Sequence, residues 1–210
     1  MKVVVLAGGT STERDVSLKT GAMIFNALKA KGHKAVLIDV FVGLENDTDY
    51  KNIFNLDKDW AANISDIKQE NPTLEEIKAL RGYESDSFFG RGVLEACSAA
   101  DIVFIALHGE NGEDGRIQAA FDLLGIKYTG EGHVSSAIAM DKSIAKQLFS
   151  YHNIPTPAGI TVKKGEAFTW DVYPCVVKVC RGGSSVGVSI AKTREEMDKS
   201  LEYAFSYDNE

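Results

Sequence analysis

The sequence predicts an α/β chain. An open parallel sheet crossed by helices comes first, and a smaller α+β segment follows. Two observations carry this. Apolar runs near Lys2–Leu6, Lys34–Asp39 and Asp101–Leu107 are each bounded by glycine or polar turns, as buried strands are. The first two enclose a helical stretch long enough to cross over, and strands joined in that way are normally parallel.

Lys2–Leu6 runs into Gly8-Gly9, a strand and a tight turn. A helix is expected near Ser17 to Lys31, because Leu18, Ala22, Phe25 and Leu28 recur on one face and Gly32 sits where a C′ glycine belongs. Residues 43–95 hold 12 acidic and 6 basic residues, nearly the whole of the chain's net charge of −7. Gly and Asp interrupt every apolar pattern there, which predicts a solvated cover at one end of the sheet with a helix near Thr73–Leu80. Asp101–Leu107 is the strongest strand, and the turn His108–Gly115 follows it directly. A helix with Ile117, Ala120, Phe121 and Leu124 on one face then stops at Gly125, and a short strand is expected at Lys127–Thr129.

From about Ser135 the character changes. A helix with Ile144, Leu148 and Tyr151 on one face ends at Asn153, where Pro155 and Pro157 forbid continuation. Strands are expected at Gly159–Val162, Cys175–Val179 and Val188–Ala191. Thr193-Arg194-Glu195-Glu196 reads as a capping box opening a helix to about Phe205. The chain stops five residues later, which reads as a cut.

The 210 residues exceed one average domain, and 44% hydrophobic with 25% charged is an ordinary globular balance. The net acidity excludes a chain built around nucleic acid or a basic membrane patch. No apolar run approaches a membrane span. The three cysteines, Cys97, Cys175 and Cys180, form no C-x-x-C pair and read as reduced residues of a cytoplasmic protein.

Three turns carry chemistry. Gly8–Arg14 follows the first strand. It is not a G-x-G-x-x-G dinucleotide turn, but it places Glu13 and Arg14 at the carboxyl end of a strand, where α/β sheets collect ligands. The alternative for both charges is a plain helix start and surface charge. His108-Gly109-Glu110 lies at the same edge, and a lone turn cap is the alternative for His108. Lys178–Val188 combines three glycines, two serines, an Arg and a Lys, which suits a phosphate cradle, whereas a plain hairpin turn explains only the glycines. It is not a Walker A loop, since Val188 replaces the required Lys. It also matches G-x-S-x-G with Ser185 as a nucleophile, but all four histidines lie upstream and a strand, not a helix, is expected after it.

Together these turns resemble the D-alanine–D-alanine ligases of the ATP-grasp superfamily. The matching stretches are GGTSTERDVSLKTG (Gly8–Gly21), LHGENGEDGRIQ (Leu107–Gln118), YTGEG (Tyr128–Gly132), AMDKSIAK (Ala139–Lys146), IPTPAG (Ile154–Gly159) and VVKVCRGGSSVGVS (Val176–Ser189). The resemblance implies a Rossmann-like pre-ATP-grasp substrate domain over 1–137 and the first ATP-grasp lobe over 138–210. It implies ATP-dependent ligation of two D-alanines through an acyl phosphate, for a cell-wall precursor, in a cytoplasmic homodimer. By the same resemblance Glu13 holds the ammonium of the first D-alanine, Ser17 lies near that pocket and His108 lies near the substrate carboxylate. Ser184 links to the glutamate and closes a loop over the substrates. Lys142 and Lys178 reach ATP phosphates, with Gly183, Ser184 and Ser185 in the loop beside them.

The family usually has Pro where Val179 stands and often Glu where Gly182 stands, which predicts a looser loop. Its Mg²⁺ ligands and adenine clamp are expected beyond the present sequence, so these residues alone are expected to be inactive. The other readings are a non-catalytic nucleotide- or substrate-binding module of this fold, and a serine hydrolase using Ser185. Whether the second substrate is D-alanine, D-serine or D-lactate is not encoded in the residues present.

Overall fold

The computed structural model describes residues 1–46, 48–50, 52–64, 72–183 and 186–209. It separates into two compact units, Met1–Val134 and Ser135–Glu210.

The first unit is a three-stranded parallel sheet with the order β2-β1-β3, formed by β1 (Lys2–Ala7), β2 (Lys34–Asp39) and β3 (Ile102–Ile105). Val3 to Ala7 are all buried, as a central strand covered on both faces requires. The register sets Val4 beside Val36 and Val103. The segment 127–129 adds only a bridge, with Val103 N–H donating to Lys127 O and Thr129 N–H to Val103 O.

Helix α1 (Arg14–Ala30) covers one face. Phe25 is fully buried, and Leu18, Ala22 and Leu28 pack with Val5, Ala7 and Leu37 as the periodicity predicts. A Cβ at Gly21 would lie 2.7 Å from Ala7 Cβ, so the missing side chain is what lets the helix sit this close. The helix starts at Arg14, three residues before the expected Ser17, because the buried Arg14 and Ser17 anchor its first turn at the sheet's edge. It ends in a Schellman motif: His33 N–H donates to Leu28 O, and Gly32 N–H to Lys29 O.

The opposite face is covered by α4 (Arg116–Leu124) and α3 (Val93–Ser98), and also by the acidic excursion. The excursion is more than a solvated cover, since Ile53, Phe54 and Ile77 are core residues beside Val4 and Leu6. Its helix α2 (Leu74–Arg81) is fixed by a capping box between Thr73 and Glu76. Arg81, at its end, is buried and donates to Ser87 O and Phe89 O while stacking on Phe41 and Tyr83.

The second unit joins α6 (Lys142–Tyr151), an antiparallel pair β4 (Cys175–Val177) and β5 (Ser189–Ala191), and α7 (Arg194–Ala204). Helix α5 (His133–Met140) precedes them, and the division between units falls within it. Residues 159–162 form no strand, and Ile160 is exposed. The capping box at Thr193 is half-formed: its hydroxyl accepts from Glu196 N–H, while the Glu196 carboxylate turns instead to Lys192 N–H. Among the described residues no helix is long and apolar enough to cross a membrane.

Candidate functional site

The carboxyl ends of β1, β2 and β3 converge in the first unit, and the residues there are tied to one another. Gly8 and Gly9 both adopt positive φ, +77° and +85°. A Cβ on Gly8 would fall 2.4 Å from Asp39 Oδ2, so glycine is what admits the Asp39 carboxylate. That carboxylate accepts from Phe41 N–H at 2.9 Å and Val42 N–H at 3.1 Å. It also pairs with Arg14, whose other nitrogen donates to Gly9 O at 2.6 Å. Arg14 is buried, so its reading as surface charge does not hold. Ser17, also fully buried, accepts from Gly8 N–H at 2.9 Å and donates to Ala106 O at 2.8 Å. One hydroxyl thus joins the exits of β1 and β3 to α1.

Glu13 and His108 meet on this frame. Ser11 Oγ donates to His108 O at 2.7 Å and accepts Glu13 N–H at 3.2 Å. The half-buried Glu13 carboxylate lies against Gly109, where a Cβ would stand 2.8 Å from Oε2. The His108 ring has Thr20 Oγ1 3.1 Å from Nε2 and Glu113 Oε1 3.6 Å from Nδ1. The turn beneath is braced by Gln118 Nε2 donating to Gly112 O and by Asp114, which accepts from Asn111 N–H and Arg116 N–H. A carboxylate and an imidazole side by side at the carboxyl end of the sheet match the two charged ends of an amino-acid zwitterion. The sequence reading selected Glu13, Ser17 and His108, which lie together here. It passed over Asp39, Thr20 and Glu113. Thr20 had a signal: Glu13, Ser17 and Thr20 stand at i, i+4 and i+7, one polar stripe on α1. Asp39 had none, because nothing local distinguishes it from any strand-end aspartate.

The second unit holds a cationic group. Lys142 Nζ donates to Gly182 O at 2.7 Å, and Lys142 N–H to Cys180 O at 3.0 Å. Burial lowers the Lys142 pKa from its ordinary value, and the charge of the exposed Lys178 nearby lowers it further. Two ammonium groups that repel each other beside a glycine-rich backbone fit a polyanion such as a nucleotide's phosphates. Asp141 caps α6 through Ser143 N–H and Ile144 N–H and pairs with Arg181 at 3.0 Å. Val179, standing where the family usually has Pro, is buried. Cβ atoms on Gly182 and Gly187 would lie 3.1 and 2.6 Å from its methyls, so both loop glycines close upon it. Gly183 is half-buried in this loop, and Ser184 and Ser185 lie outside the described residues. The loop joins two antiparallel strands, not a strand to a helix, which opposes the nucleophile-elbow reading of Ser185. Among the described residues no group of three His, Cys, Asp or Glu side chains could hold a metal ion.

The family model described as D-ala D-ala ligase N-terminus matches residues 2–131, and that described as D-ala D-ala ligase C-terminus matches residues 157–210. The D-alanine–D-alanine ligase of Lacticaseibacillus casei is 46% identical over all of this chain and 59% of its own length. The structure of D-alanine–D-alanine ligase from Bacillus anthracis complexed with ATP matches with 28% identity and a TM-score of 0.64, over 100% of this chain and 56% of that one. The VanG D-Ala:D-Ser ligase of Enterococcus faecalis matches with 26% identity and a TM-score of 0.64, over 99% of this chain and 60% of that one. The chain thus spans somewhat over half the length of the relatives it matches. A family match over more than half of its residues, on the parallel-sheet fold that the sequence predicts, places the chain in the D-alanine–D-alanine ligase family of the ATP-grasp superfamily.

Proposed function

We propose that this chain supplies the first-substrate site and part of the nucleotide site for ATP-dependent ligation of two D-alanines. Residues 1–137 then act as the substrate domain and 138–210 as the first grasp lobe. The observation that carries this is that Ser11 and Gly109 bring Glu13 and the His108 turn together over an internally tied frame. Glu13 takes the ammonium of the first D-alanine and His108 faces its carboxylate. Ser17 acts through Gly8, because its hydroxyl is spent on Gly8 N–H and Ala106 O. Lys142 and Lys178 take nucleotide phosphate, with Gly183, Ser184 and Ser185 in the loop beside them. Phosphoryl transfer asks mainly for positioning and charge neutralisation, which two lysines supply as point charges. The ATP-bound Bacillus anthracis relative supports the nucleotide. The D-Ala:D-Ser relative leaves the second amino acid open. Assembly as a cytoplasmic homodimer through the first unit belongs to the same proposal.

The test is Glu13→Gln, which keeps size and hydrogen bonding but removes the charge. A charge-assisted bond contributes about 1.5–3 kcal/mol, so D-alanine affinity falls about 10- to 150-fold. ATP affinity is unchanged. Calorimetric titration of each ligand decides: equal losses for both, or no loss for D-alanine, reject Glu13 as the ammonium ligand.

A further inference from the structure

We infer that Thr20 is the positioning residue that sets the tautomer of His108, and thereby the ring nitrogen that meets the carboxylate of the first amino acid. The inference rests on the substrate reading above.

Ser17 and Thr20 lie on one stripe of α1 that continues from its N-cap, Glu13, and successive turns reach successive points of the strand exit beyond β3. Ser17 Oγ bonds Ala106 O, and one turn later Thr20 Oγ1 meets the His108 ring. The helix and the strand exit are therefore fixed to each other at two points. The backbone of His108 is held independently by Ser11 Oγ at its carbonyl. What remains free is the ring's rotation and the position of its proton.

Both are decided by the two oxygens that face the ring. Thr20 Oγ1 stands 3.1 Å from Nε2, within hydrogen-bond distance. Glu113 Oε1 stands 3.6 Å from Nδ1, beyond that distance, on a half-exposed side chain. A flipped ring would turn carbons toward both oxygens and lose the Thr20 bond. Nδ1 is thus the nitrogen available to an incoming carboxylate. For a neutral imidazole to donate from Nδ1, Nε2 must accept, and its donor is the Thr20 hydroxyl. A threonine hydroxyl can donate or accept, whereas the Glu113 carboxylate facing Nδ1 can only accept. The proton therefore sits on Nδ1, and Thr20 completes the arrangement by donating to Nε2, with Nδ1 facing Glu113 in the free chain and the substrate carboxylate in the complex.

The experiment is nitrogen NMR of the histidine side chains, at a pH about two units above the ordinary histidine value of about 6.5. His108→Gln assigns the signal among the four histidines. The unmodified chain is expected to show a protonated-type Nδ1 and an unprotonated-type Nε2 at His108. Thr20→Val, equal in shape but without the hydroxyl, is expected to reverse the two, and Thr20→Ser to restore them. D-alanine affinity falls about 3- to 10-fold in Thr20→Val and recovers in Thr20→Ser, while ATP affinity does not move. His108 nitrogens unchanged by Thr20→Val overturn the inference, as does an unchanged D-alanine affinity in a chain whose tautomer has reversed. An unmodified chain with the expected nitrogens that ignores D-alanine overturns the substrate reading alone. The tautomer assignment then stands on the nitrogen shifts.

Discussion

The two units present charged side chains with unequal amounts of structure beneath them. In the first, the loop that carries Glu13 is tied from beneath by Asp39, Arg14 and Ser17, and the sheet below is buried on both faces. In the second, helices α5 and α6 bury no residue at all, and Lys142 is held by the carbonyl of the loop it serves. On the proposed function the first unit meets an amino-acid zwitterion, whose two charges stand at a fixed spacing that a braced loop suits. A polyphosphate is long, flexible and highly charged, and two lysines beside a glycine loop suffice for it. On the proposed function, the bracing of each site matches the geometry of its ligand and is set by the core beneath.

The largest test of this contrast uses the core itself. Phe25→Ala empties a fully buried position under α1 and is expected to cost about 3–5 kcal/mol. Leu148→Ala, on the open face of α6 where 37% of Leu148 is exposed, is expected to cost under about 0.5 kcal/mol. The two tryptophans fall one to each unit, Trp60 and Trp170, so single-tryptophan variants report each unit's denaturant unfolding separately. Equal losses at the two sites would erase the difference in burial.

The next test strikes the frame without touching the core. Arg14→Met leaves the largely covered Asp39 carboxylate without its cation, a change that costs up to about 3 kcal/mol. Arg14→Lys keeps the charge but loses the fork that reaches both Asp39 and Gly9 O, and is expected to fall between. Unfolding followed at Trp60 measures both. If Arg14→Met leaves the Trp60 midpoint where it was, the pair contributes nothing to the frame.

Much of this was legible in the sequence, and the exceptions have physical causes. The strands of the first unit and the face of α1 follow from local periodicity, because burial there is decided by neighbours one turn or two residues away. Glu13 and His108 follow from glycine turns placed after strong strands. Ile53 and Ile77 were hidden, because an apolar residue among acids carries no periodic pattern and its burial depends on partners distant in the chain. The strand expected at Gly159–Val162 did not form: a β pattern needs a ladder partner, and sequence reports only the pattern. The surface-charge alternative for Arg14 stayed open for the same reason, since its partner Asp39 lies 25 residues away.

The smallest test concerns pH in the second unit. Burial pushes the Asp141 pKa up, but hydrogen bonds from Ser143, Ile144 and Arg181 outweigh it and bring the value down to about 2. A carboxylate depressed in the folded state stabilises that state above its unfolded pKa of about 3.9 and loses the contribution as pH falls through the folded value. Its stabilisation is therefore complete above about pH 5 and gone near pH 2. Discounted because Arg181 is solvent-exposed, it amounts to roughly 1–2 kcal/mol. Asp141→Asn keeps a side-chain oxygen for the cap but gives up the charge toward Arg181. Followed at Trp170, parent and variant are expected to differ by that amount at neutral pH and to converge as acid protonates the parent. Comparing the two chains cancels the acid loss they share through other carboxylates. A difference that stays constant down to about pH 2 would mean that the cap at α6 acts through its shape and not through its charge.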